Sequence, residues 1–170
     1  MKHITTRVLT TLSAEAQATP RRRKNFNLHE GPEAAVQRFC NAIEPDSYIR
    51  PHRHPEANKW ELLVALRGST TLLTFDGEGR VAERVELQAG GDVMAVELAP
   101  GTWHTLVGRA PGSVLLEIKE GPYIPAAAND FATWAPEEGT TGVAAFLEWL
   151  RAAQVGSVAP ALATTVQSSG

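Results

Sequence analysis

The residues most able to do chemistry sit in two short segments. One is His52-Arg53-His54 followed by Glu61; the other is Pro100-Gly101-Thr102-Trp103-His104, so these segments hold three of the five histidines. In an extended strand, residues two apart face the same side, so His52 and His54 project together and Arg53 points away. Two imidazoles on one face can chelate one cation. A third imidazole and a carboxylate would complete a mixed nitrogen and oxygen shell of the kind that suits zinc, iron, manganese, nickel or copper. A His-X-His alone reads more simply as ordinary strand histidines. The company of Glu61, Gly68 and Pro-Gly-Thr-Trp-His104 in a β-rich stretch favours ligation, and the expected metal ligands are His52, His54, Glu61 and His104.

Three imidazoles and one carboxylate leave two positions of a six-coordinate ion for water or substrate. Such a centre can polarise a carbonyl, lower the pKa of bound water or hold a bidentate ligand. His54 and Glu61 are an odd number of residues apart and would face opposite sides of one unbroken strand, but Pro55-Glu56-Ala57-Asn58 reads as a turn that resets the facing. Lys59 shares the parity of Glu61. It is expected near the metal mouth, neutralising an anionic ligand, unless the turn leaves it in water at the rim. Glu117 and Lys119 share strand parity, and Tyr123 follows Gly121-Pro122. If their face is the inner one, they supply acid, base and hydrogen-bonding groups; if not, Glu117 and Lys119 form a surface ion pair. Trp103, of opposite parity to His104, reads as packing. His3 is terminal, and His29 reads as a surface or structural residue.

These residues need a scaffold of strands. From Ser47 to about Tyr123 short apolar runs alternate with Gly, Pro and Asp, including the hairpin signal Asp76-Gly77-Glu78-Gly79, which predicts a β-sandwich or small barrel. Helices are expected at 4–18, at 32–43 and at 141–154. In the second, Val36, Phe39, Cys40 and Ile43 are spaced i, i+3, i+4, i+7 after Pro32, which predicts an apolar stripe packed on the outside of the barrel. Arg21-Arg22-Arg23-Lys24 reads as a solvated linker or a face pairing with carboxylates, with an anion site as the sharper alternative. The expected organisation is a helical segment over 1–45, a barrel over 46–125, an extension with a helix over 126–154 and a flexible tail over 155–170.

The 170 residues suit one domain with a sizeable core. A net charge of −3 gives no general case for nucleic-acid or membrane binding. A single cysteine, Cys40, excludes an intrachain disulfide and fits a reducing compartment; it lies on an apolar stripe, where packing is the simpler role. The N-terminus lacks the apolar stretch of a signal peptide, and no apolar run is long enough to span a bilayer, so a cytoplasmic protein is expected.

The motifs resemble those of the cupin superfamily. His52-Arg53-His54, Glu61 and Gly68 match its first motif, with a longer gap than usual before the glutamate. Pro100-Gly101-Thr102-Trp103-His104 is similar to its second, with the proline displaced by one and Gly108 where an asparagine is usual. More specifically, residues 4–139 resemble the WbuC-type cupin fold metalloproteins. The marks include R-R-R-K-N-F-N-L-H at 21–29, S-Y-I-R-P-H-R-H-P at 47–55, E-I-K-E-G-P-Y at 117–123 and F-A-T-W-A-P-E-E-G at 131–139. The resemblance implies a mainly β, cupin-type (jelly-roll-like) barrel, one divalent transition metal (Zn, Fe, Mn or Ni), an association with cell-surface polysaccharide metabolism, and a homodimer formed through exposed sheet edges. Two functions follow as expectations. One is a metal-dependent isomerase, epimerase or oxygenase acting on a sugar or related metabolite. The other is a non-catalytic module that uses its metal to bind an anionic or sugar-like small molecule.

Overall fold

The computed structural model describes residues 1–162. Its eight strands are β1 (Arg23–Asn27), β2 (Val36–Ile43), β3 (Glu61–Arg67), β4 (Ser69–Phe75), β5 (Val81–Gln88), β6 (Ala95–Leu98), β7 (Trp103–Gly108) and β8 (Ser113–Glu120). They form two antiparallel sheets, one in the order β1-β2-β8-β3-β6 and the other in the order β5-β4-β7. The sheets meet through Ile43, Leu63 and Leu115 from the first and Leu72, Leu87 and Leu106 from the second. This is the mainly β, cupin-type barrel that the motifs implied. The chain passes from β3 to the other sheet at Gly68, whose φ of +67° suits glycine; a Cβ there would lie 2.5 Å from Ser113 Oγ.

Each sheet has a helix on its outer face. Helix α1 (Thr6–Ala18) starts at Thr5, whose side chain accepts from the Val8 amide at 3.3 Å. Its Leu9, Leu12 and Ala16 pack on Cys40 and Ala42 of β2 and Val114 of β8. Helix α2 (Val143–Ala152) lays Phe146, Leu147 and Leu150 over Leu73, Phe75 and Val107 of the second sheet. Trp103 joins that outer cluster, as its parity predicts. Among the described residues no helix is long and apolar enough to cross a membrane.

Two expectations are corrected. The helix expected over 32–43 is not formed: residues 36–43 are strand β2, between β1 and β8 of the larger sheet. A strand buried on both faces can mimic helical spacing. Here Phe39 and Ile43 face the barrel interior while Cys40 and Ala42 face α1. The tail is not free from its start either. The Gly156 amide donates to Val81 O at 2.8 Å, the Val81 amide to Ser157 O at 2.9 Å and the Ala159 amide to Gly79 O at 3.0 Å, so 156–159 cover the start of edge strand β5. The remainder of the expected flexible tail, 163–170, lies outside the described residues.

Candidate metal centre

The segment carrying the His pair is held between two others. The His52 amide donates to His104 O at 3.0 Å and the His104 amide donates to His52 O at 2.9 Å. Antiparallel partners that exchange both bonds present their side chains on one face, so this single pairing sets His52 beside His104. Their ring centroids are 4.5 Å apart. His54, two residues on, joins them at 5.3 Å from His52 and 5.9 Å from His104. On the opposite edge, the Arg53 amide donates to Asp130 O and the Ala132 amide to Pro51 O, each at 2.9 Å. The Gly101 amide donates to His54 O at 2.7 Å from the tight turn, with φ +77°, that delivers β7.

Hydrogen bonds to backbone fix two of the rings. His52 Nδ1 lies 3.0 Å from Arg50 O and His104 Nδ1 lies 2.9 Å from Thr102 O. A carbonyl only accepts, so each Nδ1 carries the proton and Nε2 is the nitrogen left for a ligand. One ligand atom from each of His52, His54 and His104 falls within 4.8 Å of the others. Glu61 enters from the facing sheet. Its Oε2 is 3.0 Å from His104 Nε2, and its Oε1 is 3.2 Å from His54 Nε2 and 2.8 Å from Lys119 Nζ. The His54 contact is close without being aligned as a hydrogen bond, so buried His54 Nε2 has no hydrogen-bond partner.

The electrostatics follow from burial and crowding. Burial, reinforced by neighbouring His104, pushes His52 down to about 3, which keeps it in the neutral, ligating form at neutral pH. Burial alone would raise Glu61, but His104, His54 and Lys119 hold it well below the usual carboxylate range. Burial also acts to lower His104, and its contact with Glu61 overrides that and raises it. Three convergent imidazoles, one buried orphan nitrogen and an adjacent ionised carboxylate are a donor set that fits a divalent transition ion. The fit rests on the three histidines, with Glu61 in contact with His54 and His104.

The histidines line a cavity of about 540 Å³. Glu117 and Lys119 are on its wall, because Leu63 pairs with Glu117 and Glu61 with Lys119 across β3 and β8. Their face is therefore the inner one. Glu117 is buried and raised above its ordinary value by that burial, partly offset by Lys119; its Oε1 accepts from Asn41 Nδ2 at 2.6 Å. Burial acts to lower Lys119, yet Glu61 and Glu117 hold it above its ordinary value. Tyr123 is exposed at the cavity rim.

Lys59 is not where parity puts it. Its Nζ donates to Glu120 O at 2.9 Å and Pro122 O at 2.7 Å, outside the cavity around the histidines. The turn at 55–58 shifts it beyond the ladder, and the carbonyls at the end of β8 capture it. Lys119 is the lysine beside Glu61. Three of the four residues of the basic run pair with carboxylates, Arg21 and Arg23 with Glu138 and Arg22 with Asp46, while Arg21, Arg23 and Lys24 also line the cavity. His29 accepts the Arg38 amide at 2.9 Å, a structural bond. Sequence reasoning missed Asn25 and Asn41, which pair directly across β1 and β2 and both line the cavity. The alternation Phe39, Asn41, Ile43 was the available signal, and the helical reading of that segment concealed it.

Of the comparisons with known proteins, the one with solved structures bears on fold. A family profile described as "Domain of unknown function (DUF6016)" matches residues 4–87, a span that includes His52, His54 and Glu61 and ends before His104. No curated protein sequence matches. Among solved structures, TT1209 from Thermus thermophilus is similar with a TM-score of 0.50 and 16% identity, over 71% of this chain and 97% of that one. KdgF from Halomonas sp. is more loosely similar, with a TM-score of 0.46 and 16% identity over 66% of this chain and 87% of that one. A cupin-2 domain containing protein from Shewanella frigidimarina has a TM-score of 0.43 and 15% identity, over 58% of this chain and 80% of that one. At 16% identity the likeness to TT1209 speaks to fold and leaves the chemistry to the site itself.

Proposed function

We propose that this chain is a cytoplasmic cupin metalloprotein of the WbuC type, an isomerase- or epimerase-like enzyme acting on a sugar or related small metabolite of cell-surface polysaccharide metabolism. His52, His54 and His104 would hold one Zn, Fe, Mn or Ni ion, with Glu61 as the fourth ligand. One observation carries the reading: three imidazoles, two of them fixed by backbone carbonyls, converge on the wall of a cavity that also holds a buried carboxylate and an ammonium group. The motif resemblance supports the family and the metabolic setting.

When bound, the ion would polarise a substrate carbonyl or hydroxyl. The chain's own residues supply the rest. Glu117, raised by burial, holds a proton more readily than an ordinary carboxylate, which suits a group that takes a proton from carbon and returns it. Lys119 stays protonated beside Glu61 and offsets the charge of an anionic ligand. Tyr123, at the rim, offers a phenolic hydroxyl to a ligand entering the cavity. The exposed edge strand β1 is the surface through which a homodimer would pair.

The test is a turnover screen by proton NMR in deuterated buffer, using sugars and hydroxy acids with metal-loaded and metal-depleted protein. The reading expects metal-dependent solvent exchange at carbon for at least one substrate, lost in Glu117→Gln with the metal retained. Metal-dependent binding with no exchange or conversion would make the chain a binding module.

A further inference from the structure

Beyond the histidine cluster, the cavity has a second polar feature, in which Asn41 joins the Glu117 already assigned to proton transfer. Asn41 and Glu117 are each more than nine-tenths buried and lie on the inner face of neighbouring strands β2 and β8. Asn41 gives its Nδ2 to Glu117 Oε1 at 2.6 Å, and its Oδ1 is buried with no hydrogen-bond partner. Among the described residues, Glu117 Oε2 also receives no hydrogen bond. Both lie on the cavity wall, with Asn25 directly across from Asn41. A buried acceptor without a donor costs roughly 1–3 kcal/mol. The pair therefore presents unused acceptor capacity to whatever fills the cavity.

Acceptors select donors. Among small metabolites the neutral donor that fits between a carboxamide oxygen and a carboxylate is a hydroxyl group. The position is also set by the ladder. Glu117 pairs with Leu63, two residues along β3 from Glu61, so it sits about 6.7 Å deeper along the strand direction than the carboxylate beside the histidines. That offset corresponds to a ligand several carbons long. At the Glu61 end, Lys119 and the histidines favour an anionic group.

We infer that the cavity takes a polyhydroxylated carboxylic acid, its acid end at the histidine cluster and hydroxyls several carbons away, one donating to Asn41 Oδ1 and another to Glu117. The acid-end assignment rests on the metal site proposed above; the hydroxyl subsite stands on Asn41 and Glu117 alone. Asn41 is thus a specificity residue. A site built to receive a hydroxyl rejects an analogue lacking it, because the buried acceptors are then left unpaired.

Calorimetric titration of the metal-containing protein with D-gluconate, D-galactonate and hexanoate tests this, with metal content measured on the same samples. At least one hexonate should bind roughly ten times or more tighter than hexanoate, and Asn41→Leu should lose that margin, with hexanoate bound no more weakly than by the wild type. The wild-type comparison needs no variant, and Glu117→Gln, which keeps the side-chain shape, gives a second reading if Asn41→Leu does not fold. Hexonates binding no tighter than hexanoate, or not at all, would overturn the inference, as would an undiminished margin in Asn41→Leu. If metal is present and the margin is absent, the subsite falls and the metal site stands. If metal is absent and the Asn41-dependent margin persists, the metal reading falls and the subsite stands.

Discussion

Replacing Lys59 with methionine separates two roles for a buried ammonium group. The residue is 8% exposed, and its Nζ holds Glu120 O at 2.9 Å and Pro122 O at 2.7 Å. These carbonyls end β8 and begin the segment that carries Tyr123. A hydrogen bond from a charged donor contributes about 1.5–3 kcal/mol, so two would sum to ~3–6 kcal/mol. Desolvation of the single ammonium that serves both offsets part of this, and methionine keeps most of the apolar stem, leaving about 2–4 kcal/mol. For a chain of this size each kcal/mol moves the melting temperature by roughly 2–4 °C, so Lys59→Met should melt roughly 4–16 °C lower. Calorimetry on the metal-depleted protein is the assay, because it removes any contribution from ligand at the histidines. Faster amide exchange at 120–124 should accompany the change. An unchanged melt together with loss of anion affinity would refute the clamp and restore Lys59 to the ligand site.

Phe146→Ala should cost about 3–5 kcal/mol, since this side chain is 3% exposed beneath α2, and metal content should be unchanged because the cluster lies outside the barrel. A melt like that of the wild type would show that α2 is not docked. Glu138 is held below its usual range despite partial burial, because Arg21 and Arg23 surround it. A depressed folded pKa contributes stability that is present above the unfolded value of about 4.5 and lost as pH falls through the folded one. The stability difference between wild type and Glu138→Gln should therefore shrink on acidification below pH 4.5, and a difference independent of pH there would contradict the pairing. Sedimentation should show a dimer at micromolar concentration, and monomer alone throughout that range would exclude pairing through β1.

Much of the site was legible because its residues obey the two-residue period of a strand. His52 and His54 share a face by spacing alone, and Glu117 and Lys119 do likewise. What spacing could not supply was pairing. The position of His104 beside His52 depends on one reciprocal pair of backbone bonds between segments far apart in the chain. The same limit explains Lys59, whose parity was read through a turn whose geometry parity does not determine. The segment 32–43 failed for a different reason. A strand buried on one face by the barrel and on the other by α1 loses its alternation, and Val36, Phe39, Cys40 and Ile43 then fit a helix equally well. That one error hid Asn41, and with it the hydroxyl-facing wall of the cavity.

Binding of one metal ion at the histidine cluster is the claim on which the rest depends. Elemental analysis of protein purified without chelators or affinity metals should find one divalent transition ion per chain. His52→Ala and His104→Ala, measured alongside, should each lose it while remaining folded by circular dichroism. A folded wild-type protein that carries no such ion, and takes up none when Zn, Fe, Mn or Ni is supplied, would contradict the central claim. So would variants that retain a full equivalent.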